Sequence, residues 1–122
     1  MKKKILLADD DPDTLLLLRK ILTDKGYEVE CIDNASNIVS GRIHEWPDLF
    51  ILDKEMKLID GIAICKFLRL HKIAKHIPIV MISGFDCRSR AMTAGVDYYI
   101  DKPFDVAELL EAIDKCLLVK TS

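Results

Sequence analysis

The stretch Leu49-Phe50-Ile51-Leu52 contains no polar residue and stops abruptly at Asp53. A strand with one face in water alternates apolar and polar side chains, so an unbroken run of this length fits a central strand covered on both faces. Covered strands of this kind occur in parallel sheets packed between helices, and the rest of the chain supplies both parts. Short β-rich runs alternate with longer segments whose apolar residues recur at helical spacing. That alternation predicts repeated strand-helix-strand units, (βα)5 in coarse outline, and an α/β fold. With 122 residues, half of them hydrophobic, the chain suffices for one domain with a single core, expected to span residues 1–122.

The first strand is predicted over residues 4–8. Asp11 then caps a helix to about Lys25, with Pro12 at its first position, Gly26 after its end and Leu15 to Leu18, Ile21 and Leu22 as its buried stripe. Residues 27–32 alternate Tyr27, Val29 and Cys31 with Glu28 and Glu30, as suits a partly solvated edge strand. A helix over about 35–44 is expected next, weakened by Ser36, Asn37, Ser40 and Gly41 and stopped by Trp46-Pro47. After the apolar run, Asp60-Gly61 opens a helix to about His71, and residues 77–82 form a buried strand ending at Ser83-Gly84. A short helix over 86–94 stops at Gly95, and the last strand covers 97–101. Asp105-Val106-Ala107-Glu108 forms a capping box for a final helix whose apolar face is Val106, Leu109, Leu110, Ile113 and Leu117.

Parallel strands share one rim at their C-terminal ends, where ligands of open α/β sheets bind. Asp9 and Asp10 follow the first apolar run, Asp53 ends the central one, and Ser83 and Lys102 end the two after it. Carboxylates about 4 Å apart repel by roughly 4 kcal/mol at an effective dielectric of about 20. A divalent cation is the usual remedy, and an oxygen-only donor set without His or Cys suits Mg²⁺ better than Ca²⁺ or zinc. An anionic nucleophile, a metal, an ammonium and a hydroxyl are the parts that phosphoryl transfer requires.

The formal charge of -2 and the lack of a long basic block argue against nucleic-acid binding by the domain itself. The apolar stretch after Met1-Lys2-Lys3-Lys4 is too short for a signal-peptide core, and no segment approaches a membrane span, so no membrane association and a cytoplasmic location are expected. Cys31, Cys65, Cys87 and Cys116 form no CxxC pair, which speaks against a zinc clip or a redox motif. Packing is the expected role of Cys31, Cys65 and Cys116.

Four pieces of the chain, in order, resemble the receiver domains of two-component response regulators, the CheY-like superfamily. They are Lys4-Ile5-Leu6-Leu7-Ala8-Asp9-Asp10; Pro47 to Asp53 with Met56 and Asp60-Gly61; Ile77-Pro78 to Ser83-Gly84; and Ala94-Gly95 to Lys102-Pro103-Phe104. The resemblance covers the whole chain. It implies a flavodoxin-like three-layer sandwich, with a five-stranded parallel sheet in the order 2-1-3-4-5. It also implies that Asp53 is the phosphoacceptor, taking its phosphoryl group from a phosphohistidine on a sensor histidine kinase or phosphotransfer protein. Mg²⁺, or Mn²⁺ in its place, would be bound by Asp10, Asp53 and the backbone carbonyl of Glu55, with Asp9 direct or through water. Ser83 and Lys102 would hold the phosphoryl oxygens, and Tyr99 would be the switch aromatic that turns inward as Ser83 is drawn to the phosphoryl group. The Lys102-Pro103 bond would be cis.

The family's usual output face, fourth helix, fifth strand and fifth helix, would draw on Arg88, Met92, Asp97, Asp101, Glu111 and Lys115, and is a candidate surface for homodimers. The implied output is either through this surface alone or within a longer protein. Three departures from the family pattern stand near the site: Lys57 replaces a usual proline, Gly84 a usual alanine, and Ser83 a threonine. Glu55 and Phe85, each two residues beyond a site residue, would flank the path of attacking water, with Phe85 and Lys57 as modulators.

Simpler roles compete at several positions. Asp11 and Asp60 read best as helix caps, and His44, His71 and His76 as surface residues away from the rim. Two other functional readings are a phosphorylation-independent adaptor and a haloacid-dehalogenase-like phosphatase, the latter faintly suggested by Asp11-Pro12-Asp13-Thr14. The first would ordinarily lack one of the acidic, acceptor or lysine positions, all of which are present. The second needs its nucleophile after the first strand, whereas Asp13 should fall within a helix. A dinucleotide site is disfavoured, since no glycine-rich loop follows the first strand.

Overall fold

The structure, a computed structural model, describes residues 2–34, 36–40, 43 and 45–118. Its strands are β1 (Lys4–Ala8), β2 (Glu28–Ile32), β3 (Leu49–Asp53), β4 (Ile79–Ser83) and β5 (Tyr98–Asp101). Its α-helices are α1 (Pro12–Asp24), α2 (Ser36–Val39), α3 (Gly61–Leu70), α4 (Arg88–Ala94) and α5 (Val106–Leu118), with a 3₁₀ turn over Ala74–His76. The strands form one parallel sheet in the order β2-β1-β3-β4-β5.

Strand alternation divides the apolar residues between two layers. Leu6, Ala8, Phe50, Leu52, Ile79, Met81 and Tyr99 face one way, against Ile38 of α2, Ile64, Cys65 and Leu68 of α3, and Ala91 of α4. Ile5, Leu7, Leu49, Ile51, Val80, Ile82 and Ile100 face the other, against Leu18 and Leu22 of α1 and Leu109, Ile113 and Leu117 of α5. The unbroken apolar run of β3 is therefore needed on both sides, and every residue of β3 and β4 is buried. β2 is the edge strand, and its residues range from exposed to half-buried.

Local signals act at the helix ends. Asp11 caps α1 by accepting from the Asp13 N–H at 3.1 Å and the Thr14 hydroxyl at 2.8 Å. Asp60 caps α3, accepting from the Ile62 N–H at 2.7 Å and pairing with Lys54 Nζ at 3.0 Å. The Asp105 carboxylate accepts from the Ala107 N–H at 3.2 Å at the start of α5. Gly95 ends α4 with φ of +109°, a left-handed conformation that disfavours other residues, and Arg69 lies where a Cβ would project.

Several boundaries differ from the expectations. α2 is described only over Ser36–Val39, and the rest of the expected helix at 35, 41, 42 and 44 lies outside the described residues, as does His44. β4 begins at Ile79, two residues late, because Ile77 turns its carbonyl to Arg69 Nη1 at 2.7 Å. β5 begins at Tyr98, since Asp97 is occupied with Arg69 Nη2 and the Ile79 N–H, each at 2.8 Å. Asp97 is thus tied down at the rim opposite the acidic cluster. His71 is structural: its Nδ1 accepts from the Ile73 and Ala74 N–H groups, and its ring centroid lies 4.7 Å from that of Trp46. No disulfide joins the four cysteines, of which Cys65, Cys87 and Cys116 are buried. No helix among the described residues is long and apolar enough to cross a membrane.

Gly61 positions α3 against the acidic rim. A Cβ there would lie 2.8 Å from both the Asp53 carbonyl oxygen and the Lys54 Cα, backbone atoms that cannot swing aside. Gly61→Ala is expected to destabilise the domain by about 1–3 kcal/mol, as overpacking does, measured by urea denaturation.

Candidate functional site

The register aligns the strand ends. Ala8 pairs with Leu52, Asp53 with Ile82, and Ser83 with Asp101, so residues ending or following β1, β3, β4 and β5 meet at one rim. Asp53 is 4% exposed there. Its Oδ1 accepts from Lys102 Nζ at 2.9 Å and from the Glu55 N–H at 3.2 Å. The Lys102-Pro103 peptide bond is cis.

Asp9 and Asp10 complete the acidic side. Asp9 Oδ1 accepts from the Asp11 N–H at 2.9 Å, and Asp10 Oδ2 accepts from the Lys57 N–H at 2.9 Å. The latter bond requires that position 57 not be proline, which has no N–H to give. One oxygen from each of Asp9, Asp10 and Asp53 lies within 4.8 Å of the other two, so the three carboxylates can share a cation.

Burial raises the pKa of Asp9 from 3.8 to about 6, and the negative charge of Asp53 adds to the effect, against the opposing pull of the Asp11 N–H and Lys102. For Lys102, burial disfavours the charged form, but the hydrogen bond and charge of Asp53, with Asp9 and Glu55, outweigh it and raise the pKa above the usual lysine value. The ammonium therefore stays charged and neutralises part of the cluster. Asp11 stands outside this group, its pKa lowered by the Thr14 hydroxyl and the Asp13 N–H that it caps.

Ser83 is fully buried. Its Oγ lies 2.7 Å from Glu55 Oε2 and 3.0 Å from the Phe85 carbonyl oxygen, and it accepts from the Phe85 N–H at 3.1 Å. A single hydroxyl proton serves one acceptor well at a time, and the shorter contact is to Glu55. Tyr99 is inward and 5% exposed. Its hydroxyl donates to the Phe85 carbonyl and accepts from the Cys87 N–H at 3.2 Å. Burial foremost, then Cys87, raises its pKa. Tyr98 faces the opposite layer, as strand alternation requires.

The structure thus brings together Asp9, Asp10, Asp53, Glu55, Ser83 and Lys102, with Tyr99 behind Ser83. Phe85 contributes its backbone, while its side chain is largely exposed. Two participants were not anticipated. The Glu55 carboxylate reaches across to Ser83 and to the Gly84 N–H, at 2.7 Å each. Cys87 Sγ lies 3.4 Å from Ser83 Oγ and 3.3 Å from the Tyr99 hydroxyl. Its place four residues after Ser83 was the available signal. Arg88 sits over the Tyr99 ring at 4.9 Å and pairs with Asp101 at 3.4 Å, and Lys115 pairs with Glu111 at 2.9 Å.

A sheet in this order with its polar residues gathered on the C-terminal rim defines a flavodoxin-like α/β protein. The profile of the response regulator receiver domain matches residues 5–114, and the chain belongs to that family. It is 34% identical over 112 residues to the alkaline phosphatase synthesis transcriptional regulatory protein PhoP of Bacillus subtilis, covering 89% of this chain and 46% of that protein. It is 33% identical over 121 residues to the response regulator MprA of Mycobacterium leprae, covering 97% and 52%. The chain therefore spans about half the length of these relatives. Among solved structures, a two-component response regulator from Clostridium difficile superposes with a TM-score of 0.88 at 26% identity, covering 99% of this chain and all of that one. The receiver domain of sensor histidine kinase PA1611 from Pseudomonas aeruginosa, solved with a magnesium ion coordinated in the active-site cleft, shares the fold with a TM-score of 0.84 at 23% identity, covering 95% and 98%.

The raised pKa of Asp9 has a defined sign in stability. Between pH 3.8 and about 6 the folded protein holds a proton that the unfolded chain has released, so stability from this group falls as pH rises and its cost is complete above that window. Asp9→Asn keeps an oxygen for the Asp11 N–H. Without divalent cations at neutral pH the variant is expected to be more stable than wild type by about 1–3 kcal/mol. The gain shrinks as pH is lowered through the window, as denaturant titrations at several pH values would register.

Proposed function

We propose that this chain is the phosphoacceptor receiver of a two-component phosphorelay. Asp53 attacks the phosphorus of a phosphohistidine on a sensor histidine kinase or phosphotransfer protein; the P–N bond breaks as an aspartyl P–O bond forms. The observation that carries this reading is a buried Asp53 carboxylate held 2.9 Å from Lys102 Nζ and sharing one rim with Asp9 and Asp10. Mg²⁺, with Mn²⁺ as a substitute, would be held by Asp10, Asp53, the Glu55 carbonyl, and Asp9 directly or through water. The donor set fits, being all oxygen and partly solvated, and the magnesium of the PA1611 receiver supports the assignment. Bound there, the cation offsets the repulsion between the carboxylates and the incoming phosphoryl group.

Lys102 and Ser83 bind the phosphoryl oxygens, and the Ser83–Tyr99 pair relays the change to the face formed by α4, β5 and α5. Phosphorylation acts by biasing two pre-existing arrangements of this face, with a homodimer as one outcome. The domain, taken as the single unit 1–122, works in the cytoplasm as a signalling substrate rather than a turnover enzyme. The phosphatase reading lacks support, because Asp13 lies exposed in the first turn of α1.

Mass spectrometry after treatment with a small phosphodonor and Mg²⁺ is expected to show one added phosphoryl group on wild type, none on Asp53→Asn, and none on wild type with a chelator. Equal labelling of wild type and Asp53→Asn would reject the acceptor assignment. Phe85→Ala, which removes the ring while retaining the carbonyl used by Ser83 and Tyr99, is expected to speed dephosphorylation severalfold on the reading that the ring hinders attacking water. An unchanged or slower rate of label loss would remove Phe85 as a modulator.

A further inference from the structure

We propose that the carboxylate of Glu55 is an internal stand-in for the phosphoryl group, holding its donors until a phosphoryl group displaces it. This rests on the reading of Asp53 as phosphoacceptor and adds a role for a side chain whose backbone carbonyl alone that reading uses. Glu55 Oε2 lies 2.7 Å from Ser83 Oγ, and Oε1 lies 2.7 Å from the Gly84 nitrogen and 3.9 Å from Lys102 Nζ. A hydroxyl, a backbone amide and an ammonium converge on one carboxylate, and that ammonium also lies 2.9 Å from Asp53 Oδ1. A charge-assisted bond of this length is strong. The Ser83 proton cannot serve Glu55 and a phosphoryl oxygen together, so the carboxylate must leave before the cradle can be used. It has a route, because the Glu55 side chain is 24% exposed.

The same contact sets the switch. Ser83 is already drawn to an anion, and Tyr99 is already inward with its hydroxyl on the Phe85 carbonyl. That inward placement is the one expected to follow phosphorylation, and here it accompanies a carboxylate of the chain itself. Glu55 therefore both competes with the phosphoryl group and holds the Ser83–Tyr99 pair ready for it.

The test uses beryllofluoride, a phosphoryl mimic, at saturating Mg²⁺ with the full chain, titrated calorimetrically. Apparent affinity is reduced by the fraction of molecules whose site is open, so a cradle free in a tenth of molecules costs about tenfold. Glu55→Ala empties the cradle. Glu55→Asp keeps the charge but falls one methylene short. Both are expected to bind beryllofluoride about tenfold tighter than wild type, with Glu55→Gln between, since its amide oxygen can still accept one bond. In ligand-free and metal-free protein, the Gly84 amide proton should move upfield in Glu55→Ala and Glu55→Asp, marking loss of its carboxylate partner. Equal affinity in all four proteins would overturn the inference and leave the phosphoacceptor reading standing. Gain in the neutral variants alone, with Glu55→Asp matching wild type, would reduce the effect to charge and also overturn it. Binding by none of the four would remove both. Should Glu55→Ala fail to fold, the Asp and Gln variants decide the outcome.

Discussion

The register of the central strands is the constraint on which the site depends. Pairing Ala8 with Leu52 sets Asp9 level with Asp53, and pairing Asp53 with Ile82 and Ser83 with Asp101 adds the hydroxyl and the start of the Lys102 loop. β3 is apolar on both faces, so face polarity alone does not forbid a slip by one residue, as it would in a half-solvated strand. The charged end does. Moving Asp53 one step inward would place a carboxylate between the helical layers without Lys102, at the high cost of burying an unpaired charge. The residue read as reactive thus also terminates the strand that presents it.

The assembled rim is electrostatically unfavourable by itself. Asp9, Asp10 and Asp53 crowd together with Lys102 as the ammonium bonded to Asp53, and the raised pKa of Asp9 is the local record of that crowding on top of burial. Backbone N–H groups carry part of the load: Asp11 serves Asp9, Glu55 serves Asp53 and Lys57 serves Asp10. These bonds hold each carboxylate in place without neutralising it. A cluster so arranged favours a cationic partner, which would relieve the repulsion that these bonds leave in place.

Features with a short-range cause were legible in the sequence. Asp11 before Pro12 and Asp60 before Gly61 act as the caps their positions implied; the strand order, by contrast, came from family resemblance and not from periodicity. Contacts set by tertiary structure were not legible. The helix-to-strand boundaries near Ile77 and Asp97 shifted because Arg69, distant in sequence from Asp97, claims their polar groups. His71 read as a surface residue because nothing local shows that its ring nitrogen meets the next turn. Glu55 lay outside reach for a related reason: its carboxylate bonds Ser83 and Gly84, on a different strand end. Lys57 reads in the sequence as a departure from the family's usual proline, and in the structure it supplies an N–H to Asp10 that proline could not.

Ser83 and Tyr99 converge on the carbonyl oxygen of Phe85, a backbone atom, while the Phe85 side chain is largely exposed. The contacts at this position are therefore made by the backbone, and the exposed side chain is a separable part of the residue. A substitution at position 85 can replace the side chain without touching the carbonyl on which Ser83 and Tyr99 converge. Under the proposed function, signal duration and signal transmission would then be independently adjustable, and the domain could be retimed for a faster or slower circuit while its switch stays the same.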